Sequence, residues 1–246
     1  MNIYNNYEEW KQWNKASFGT CSYNDAAYFS AELLRAGIMP HEGFRVYELG
    51  FGNGAFAGYM RSLRCEYFGS EVNNNLIERA KAFGLNVSEK GIKEMLGANQ
   101  SGTIDASIAF DVLEHLNIAD IKIFLLDSFE FLKPGGIVLA RIPSGDSPFG
   151  RAIFHGDITH RTALGSSAIR QLAEQTGFEV INIGPPRLPI FGVGFVRAIR
   201  RGWIRLARAI IAWLINLIFH DGQPCVITAN LVFVLRRPAT IAKLCQ

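Results

Sequence analysis

The chain has 246 residues and a formal net charge of +3, with 49% hydrophobic and 19% charged residues. This length and composition fit one α/β domain with additions and argue against a disordered chain, because enough apolar side chains are present for a core. The four cysteines show no metal-binding spacing and the first residues show no signal-peptide pattern. Both observations predict a reducing, cytoplasmic location.

The N-terminal segment, 1–40, is rich in aromatic residues. Tyr4, Tyr7, Trp10 and Trp13 recur every three residues, and a helix is predicted over 23–36. These aromatic side chains either pack against the domain or cover a ligand, and the pattern alone leaves both interpretations open.

The first predicted strand runs into the sequence RVYELGFGNG, 45–54. Gly50 and Gly52 can adopt positive φ and turn the chain sharply, and Gly52 and Gly54 allow a ligand to approach bare backbone. The following helix, predicted over 55–63, directs free N–H groups towards that ligand. A carboxylate, Glu48, at the start of this loop repels a pyrophosphate and attracts an ammonium group. The pattern therefore favours a small cationic nucleotide-like cofactor over a dinucleotide, whose loop has a different glycine spacing.

The second predicted strand, 66–72, contains Glu71, which follows Glu48 by 23 residues. An acid at the end of this strand can accept hydrogen bonds from ribose hydroxyls. A helix is predicted over 74–83 and a weak third strand over 86–88. Ile92, just beyond that strand, is the predicted contact for an adenine ring.

The fourth predicted strand, 106–110, is almost wholly apolar, as expected of a strand buried on both faces. It leads into the sequence DVLEHL, in which Asp111, Glu114 and His115 share one face of a helical turn. Two carboxylates and an imidazole can bind Mg²⁺ or Mn²⁺. The same side chains can instead tie loops together, and we predict no metal here.

An amphipathic helix is predicted over 118–132, followed by a turn at 133–136 and a fifth strand over 137–142. Proline and paired glycines in the turn cannot continue the helix.

Three stretches, E-x-G-x-G-x-G, DVLEHL and FLKPGG, occur in this order between residues 45 and 143. Together they resemble the class I S-adenosylmethionine-dependent methyltransferases. The resemblance implies an α/β, Rossmann-like fold with seven mostly parallel strands and an antiparallel last strand. It also implies S-adenosyl-L-methionine as cofactor and a helical lid, 1–40, on a methyltransferase domain, 41–246. The cofactor contacts that we predict on this basis are Glu48, Gly50, Phe51, Gly52, Gly54, Glu71, Val72, Ile92, Asp111 and Val112.

The segment 142–167 leaves the carboxyl edge of the predicted sheet, where α/β folds bind ligands, and a helix is predicted after it over 166–176. His155, Asp157 and His160 are the predicted catalytic residues, because a histidine titrating near neutrality can accept a proton from an acceptor hydroxyl. His160 can alternatively have a structural role. This segment resembles methyltransferases of bacterial polysaccharide and secondary-metabolite pathways, which implies O-methylation of a sugar or lipid-linked glycan. A small phenolic or quinone acceptor and a non-catalytic partner subunit are the alternatives.

A sixth strand is predicted over 178–183, a seventh over 226–235, and an insert over 184–225 separates them. The insert contains a highly apolar stretch, 203–219, and an arginine stripe. That stripe is formed by Arg197, Arg201, Arg205, Arg208 and Asn216. From 187 to 237 the chain carries eight arginines and a single acid, Asp221. The pattern favours peripheral contact of 197–219 with the inner face of a membrane, with packing in a homodimer or in the core, or a true span, as alternatives. We predict no nucleic acid binding, because the insert is so apolar.

Overall fold

A computed structural model describes residues 10–11, 13, 17–190, 194–219 and 225–239. Tyr4, Tyr7 and Asp221 lie outside the described residues. The described strands are β1 (Arg45–Leu49), β2 (Glu66–Ser70), β3 (Asn86–Ser88), β4 (Ile104–Phe110), β5 (Leu132–Pro143), β6 (Glu179–Gly184) and β7 (Asn230–Arg236). The described helices are α1 (Tyr23–Arg35), α2 (Ala55–Ser62), α3 (Asn74–Ala82), α4 (Ile92–Leu96), α5 (Ile118–Phe131), α6 (Gly150–Phe154), α7 (Ser166–Thr176) and α8 (Phe195–Phe219).

The seven strands form one sheet in the order β3-β2-β1-β4-β5-β7-β6. β7 pairs antiparallel with both β5 and β6, and the other pairings are parallel. The strand order reverses between β1 and β4, so the carboxyl ends of these two strands flank the position where such sheets bind ligands. The predicted fold class, including the antiparallel last strand, is confirmed.

Each face of the sheet packs against its own hydrophobic core. Val46 packs with Phe29 of α1 and Phe56 of α2 on one face, whereas its neighbour Tyr47 packs with Leu125 of α5 on the other. This alternation follows from the pleat of the strand, which directs successive side chains to opposite faces. Both faces are therefore covered, as the nearly continuous apolar sequence of β4 requires.

The predicted turn at 133–136 is wrong. These residues lie inside β5 as a bulge: Ile104 pairs with Leu132, whereas Ala106 pairs with Ile137. Gly135 has a φ of +83°, and its N–H donates to the Arg237 carbonyl over 2.9 Å. A proline without an N–H and glycines with free φ are tolerated in a bulge of this kind, because the regular ladder is already interrupted.

Among the other boundaries that differ from the prediction, two concern the ends of strands next to buried or functional residues. β2 ends at Ser70, one residue before Glu71, and β7 begins at Asn230 rather than at 226. Val226 and Ile227 are buried, but their carbonyl groups accept hydrogen bonds from the Ser144 and Ser147 hydroxyls rather than from a strand. Apolar composition indicated burial correctly here but could not locate where the β-ladder begins.

Candidate active site

The loop between β1 and α2 is held in a left-handed conformation at three positions. The φ angles of Gly50, Gly52 and Gly54 are +67°, +52° and +73°, a region in which glycine is favoured because it lacks Cβ. A Cβ on Gly50 would collide with the side chain of Val112, just after β4. The glycine loop and the carboxyl end of β4 are therefore in direct contact.

Glu48 is buried beneath this loop, with 3% of its surface exposed. Burial raises the pKa of its carboxyl group to about 8, and the Glu71 carboxylate acts in the same direction. The Tyr67 hydroxyl donates a hydrogen bond to Glu48 Oε2 over 2.6 Å, which opposes that rise. Sequence reasoning missed Tyr67, because only the pairing of β1 with β2 brings its hydroxyl to the acid.

Glu71 joins the end of β2 to the glycine loop. Its Oε2 accepts a hydrogen bond from the Gly52 N–H over 3.1 Å, and its Oε1 accepts from Val72 N–H over 2.8 Å and Asn73 N–H over 3.2 Å. Two adjacent acids, Glu48 and Glu71, therefore flank the loop. Such a pair is suited to a ligand that carries an ammonium group and hydroxyl donors.

Besides Glu48, two more of the predicted cofactor residues have buried side chains. Phe51 packs edge-to-face against Phe18 at a centroid distance of 6.3 Å, and Ile92 belongs to the core with Phe68. Phe51 is 4% and Ile92 2% exposed. Val72 has the opposite environment and is 61% exposed.

Asp111 has a left-handed backbone, with a φ of +55°, and forms a bidentate ion pair with Arg141 of β5. The Arg141 guanidinium also lies over the rings of Tyr28, at 5.0 Å, and Phe110, at 5.6 Å. The structure therefore places Asp111 in a fixed network that connects α1, β4 and β5. This pairing separates it from the metal-ligand set that the DVLEHL pattern suggested.

Beyond Asp111, the segment that follows β4 meets the segment that precedes α7. The Glu114 carbonyl accepts hydrogen bonds from Arg161 N–H over 2.7 Å and from Thr162 N–H over 3.1 Å. This contact brings His115 and His160 together with their rings edge-to-face at 4.6 Å. We call Glu114, His115, Asp157, Thr159 and His160 the histidine cluster.

Hydrogen bonds define the protonation of both imidazoles in the histidine cluster. His160 Nδ1 donates to the Phe154 carbonyl over 2.9 Å, because a carbonyl only accepts. The Thr159 hydroxyl donates to Asp157 Oδ1 over 2.5 Å and therefore accepts from His115 Nδ1, 2.8 Å away. Both neutral rings consequently carry their lone pair on Nε2, the tautomer required of a proton acceptor or a metal ligand.

Three groups of the histidine cluster, His115, Glu114 and Asp157, have shifted pKa values. Burial lowers the pKa of His115 to about 4, and the neighbouring His160 adds to this shift. Burial, followed by the Asp111 charge, raises the pKa of Glu114 to about 8. Burial opposes ionisation of Asp157, but hydrogen bonds from Thr159 outweigh it and lower its pKa. Perturbed groups at the carboxyl edge of a sheet are typical of functional sites.

His160 Nε2 lies 3.8 Å from Asp157 Oδ2 and 3.9 Å from Glu114 Oε1. The structure thus brings together two of the predicted catalytic residues, His160 and Asp157. It leaves the third, His155, exposed after α6, where its ring packs against Phe154 at 5.3 Å. Glu114, His115 and His160 offer ligand atoms within 4.8 Å of one another, so this set is able to hold a divalent cation.

Described residues of the N-terminal segment lie over both parts of the site. The Trp13 ring covers the glycine loop, 2.9 Å from where a Cβ on Gly52 would stand. Lys11 Nζ lies 3.8 Å from Asp157 Oδ2 in the histidine cluster. The N–H of Gly19 donates to the Asn53 carbonyl over 2.9 Å. The segment is therefore in contact with the loop, whatever its function.

Comparison with known proteins supports the geometry. A family model described as a methyltransferase domain matches residues 22–183. A curated ubiquinone biosynthesis O-methyltransferase from Chelativorans sp. is 29% identical over 119 residues, which cover 47% of this chain and 46% of that protein. One from Brucella anthropi is 27% identical over 127 residues, covering 50% of each chain. The matched stretch thus spans about half the length of these relatives.

Solved structures share the fold at low sequence identity. An S-adenosylmethionine-dependent methyltransferase from Archaeoglobus fulgidus superposes with a TM-score of 0.62 and 17% identity, covering 96% of this chain and 100% of that one. A Burkholderia thailandensis 1,6-didemethyltoxoflavin-N1-methyltransferase, solved with S-adenosylhomocysteine, gives 0.55 and 11%, covering 94% and 82%. The left-handed glycine loop, the buried Glu48 and the strand order agree with this assignment. The chain belongs to the methyltransferase domain family, and it shares the class I fold of solved S-adenosylmethionine-dependent methyltransferases.

Proposed function

We propose that this enzyme methylates a hydroxyl group of a small phenolic or quinone-type acceptor. The observation that carries the proposal is the apolar surface beside the histidine cluster. Phe149, Ile153 and Ile158 are 59%, 40% and 93% exposed, and all three lie within the segment that leads to His160. Exposed apolar side chains at the rim of a site favour an acceptor with apolar surface, because such side chains gain most from being covered.

A phenolic or quinone acceptor, which the sequence left open as an alternative, receives more support than the sugar or lipid-linked glycan that the sequence favoured. The curated relatives carry the name ubiquinone biosynthesis O-methyltransferase. A sugar presents many hydroxyl groups, and burying them against Ile158 and Phe149 without hydrogen-bond partners is unfavourable. A phenol presents one hydroxyl to the histidine cluster and an apolar ring to the rim.

We assign the cofactor to the glycine loop. Bound S-adenosyl-L-methionine supplies an electrophilic methyl group on a sulfonium sulfur. In this proposal Glu48 attracts the ammonium group of the cofactor, Glu71 accepts hydrogen bonds from its ribose, and Gly50, Gly52 and Gly54 present bare backbone. Val112 packs against Gly50 and closes the β4 side of the same cleft.

His160 is the proposed general base. Its Nε2 accepts the proton of the acceptor hydroxyl while the oxygen forms its bond to the methyl carbon and the sulfur retains the electrons of the broken bond. Asp157, 3.8 Å from Nε2, stabilises the imidazolium that results. The sulfonium is already a strong electrophile, so orientation of the acceptor supplies much of the rate and no metal is required.

We propose that the N-terminal segment, 1–40, acts as a lid over the site. Trp13 covers the glycine loop and Lys11 approaches Asp157, so the segment contacts the proposed cofactor and acceptor regions at once. Displacing it admits the ligands, and its return excludes water from the reaction.

A position on the inner, cytoplasmic face of a membrane is proposed for the enzyme. α8 is long and apolar enough to span a bilayer, with a mean hydropathy of 1.5 in its most apolar window and none of that window buried. It follows β6, whose carboxyl end lies on the same sheet edge as the glycine loop. A membrane at α8 therefore lies near the site from which an apolar acceptor would be taken.

The acceptor class is tested by mass spectrometry of products formed with methyl-deuterated cofactor. Matched panels of catechols and hydroquinones, with and without a short prenyl chain, are compared with monosaccharides and glycolipids. We expect a deuteromethyl ether on the phenolic compounds and none on the sugars. Methylation of sugars alone would overturn the proposed acceptor while leaving the methyltransferase assignment intact.

A further inference from the structure

α8 faces the domain with one narrow side of mixed residues and turns most of its apolar surface outward. The partly buried residues on this inner side are Ala198, Arg201, Gly202, Ile204, Ala212, Ile215 and Asn216. Arg201 donates to the Pro189 carbonyl over 2.8 Å, and Asn216 Oδ1 accepts from the Cys225 N–H over 3.3 Å. The exposed outer side consists largely of Trp203, Leu206, Ile210, Trp213, Leu214 and Leu217.

The structure divides the arginine stripe that the sequence predicted. Arg201 and Asn216 are partly buried against the domain, whereas Arg197, Arg205 and Arg208 are exposed. The outward apolar face still lacks a cover among the described residues. Because the inner side is partly buried from 198 to 216, α8 lies alongside the domain and does not project from it as a spanning helix does.

A groove of about 570 Å³ runs between α1, the segment 187–190 and α8. One wall is a helical stripe of α1 that includes Ala27, Ala31 and Leu34, spaced by three or four residues. The opposite face of α1 packs Phe29 and Leu33 into the core. The groove is consequently separate from the glycine loop and from the histidine cluster.

The lining of the groove is cationic. Arg35, Arg187 and Arg205 contribute to it. Glu32, the acid beneath it, is already engaged: Oε1 accepts from the Arg187 N–H over 2.6 Å, and Oε2 lies 3.2 Å from Arg35 Nε. The Arg35 side chain is 5% exposed, and its Nη1 has no hydrogen-bond partner among the described residues. A buried guanidinium N–H without an acceptor is costly, so an anionic ligand at this position is favoured.

We propose that this groove binds an anionic phospholipid drawn from the membrane on which α8 rests. Arg187 and Arg205 hold the phosphate, Arg35 supplies the buried positive charge, and an acyl chain follows the α1 stripe. Charge complementarity supports a lipid over a second copy of the chain, because α8 carries five arginines and no acid and two such helices repel each other. The inference rests on the proposed membrane position and extends it to a defined lipid site.

The test uses a groove variant and a variant of equal charge outside the groove. The groove variant is Arg187→Gln/Arg205→Gln, and the control is Arg200→Gln/Arg208→Gln. Binding to dihexanoyl phosphatidylglycerol below its micelle concentration is measured by calorimetry. We expect at least a tenfold loss of affinity in the groove variant and less than a twofold change in the control. Equal responses of the two variants would overturn the proposal, as would equal binding of glycerol 3-phosphate, which lacks acyl chains.

Vesicle flotation separates the lipid site from general membrane attraction. On vesicles containing phosphatidylglycerol, losing two positive charges costs either variant about 30-fold in binding, since each basic residue contributes about 1 kcal/mol. The groove variant is expected to lose more than the control. Vesicles of phosphatidylcholine alone should bind both proteins weakly and equally. Methylation of a soluble acceptor is measured in parallel, so that failure of the lipid site is not confused with failure of the proposed activity.

Discussion

The Tyr67 hydroxyl donates a 2.6 Å hydrogen bond to Oε2 of Glu48, beneath the glycine loop. Tyr67 lies on β2 and Glu48 on β1, and both side chains are buried. The bond favours ionisation of an acid whose pKa burial has raised to about 8. Tyr67 thereby helps to keep available the negative charge that a cationic cofactor requires.

Tyr67→Phe removes that donor with little change in volume. The pKa of Glu48 should rise further, and the affinity for S-adenosylmethionine should fall by about tenfold at pH 7, the size of one lost hydrogen bond to a charged group. Isothermal titration calorimetry measures the affinity. Tyr59→Phe, on α2, is the matched control, and equal affinities for the two variants would show that Tyr67 does not act on cofactor binding.

Gly52→Ala should abolish cofactor binding at concentrations where the native enzyme is saturated. Its φ is +52°, and a Cβ there points at the space above the loop that Trp13 now covers. Gly37→Ala introduces the same methyl group at a φ of +76° in open surroundings. The backbone strain is therefore similar in both variants, and the difference in calorimetric affinity reports contact of the new methyl group with the ligand or with Trp13, which stands 2.9 Å away. Retained affinity in Gly52→Ala would place the cofactor elsewhere.

His160→Ala should lower kcat by roughly 100-fold, the usual size of a lost general base. Cofactor affinity should stay within twofold, because the glycine loop is unchanged. The pH profile of kcat should also lose the limb that reports ionisation of the base, an effect that a purely structural role does not produce. His41→Ala, at an exposed position remote from the cluster, serves as control. His155→Ala is expected to lower kcat less than His160→Ala does, because His155 is exposed and lies outside the histidine cluster.

Metal removal is predicted to leave activity unchanged, because acceptor orientation and the His160 base carry the reaction. One feature of the structure argues against this prediction. Glu114, His115 and His160 are close enough together to hold a divalent cation. Activity is measured after dialysis against EDTA and again after addition of Mg²⁺ or Mn²⁺. Loss on dialysis with recovery on addition would assign these three residues as ligands.

The free energy of unfolding should fall as pH rises from about 6.5 to 8 in the absence of ligands. Glu48 and Glu114 are protonated in the folded state below their pKa of about 8, whereas in the unfolded state they ionise near pH 4.5. The folded state therefore binds more protons in this interval, and each acid contributes a slope of about 1.4 kcal/mol per pH unit. His115, with a folded pKa of about 4, acts only below its unfolded value of 6.5.

Denaturant titrations at several pH values test this sign. Glu48→Gln preserves the shape of the side chain and should halve the slope, and the double variant with Glu114→Gln should remove it. Glu78→Gln, at an exposed position on α3, should have no effect. A flat profile in the native protein would mean that both acids are ionised in the fold.

The fold could be predicted largely from the sequence because local chemistry dictates it. The glycine loop follows from three positions that need positive φ, and β4 follows from a run of apolar residues that suits a sheet covered on both faces. α7 was predicted with its observed limits, because its apolar spacing and the following Gly177 define them. The element order and the cofactor class were therefore accessible without coordinates.

The composition of the site depended on contacts between distant segments. Asp111 and Glu114 belong to one short motif, yet Asp111 pairs with Arg141 on β5 whereas Glu114 faces His160. No local pattern distinguishes these outcomes, because each partner comes from a different strand or loop. The raised pKa values of Glu48 and Glu114 likewise arise from burial, which is a property of the assembled fold.

α8 shows most clearly which properties follow from the sequence and which depend on the tertiary structure. The sequence alone determined that this helix has an arginine stripe and an apolar face, because both follow from the 3.6-residue period. Which face lies against the domain is decided only by tertiary structure, through partners such as Pro189 for Arg201 and Cys225 for Asn216. Burial of the apolar face in the core or in a homodimer was one of the alternatives that the sequence left open. The polar contacts hold Arg201 and Asn216 inward and leave the apolar face, and the cationic groove beside it, for another partner.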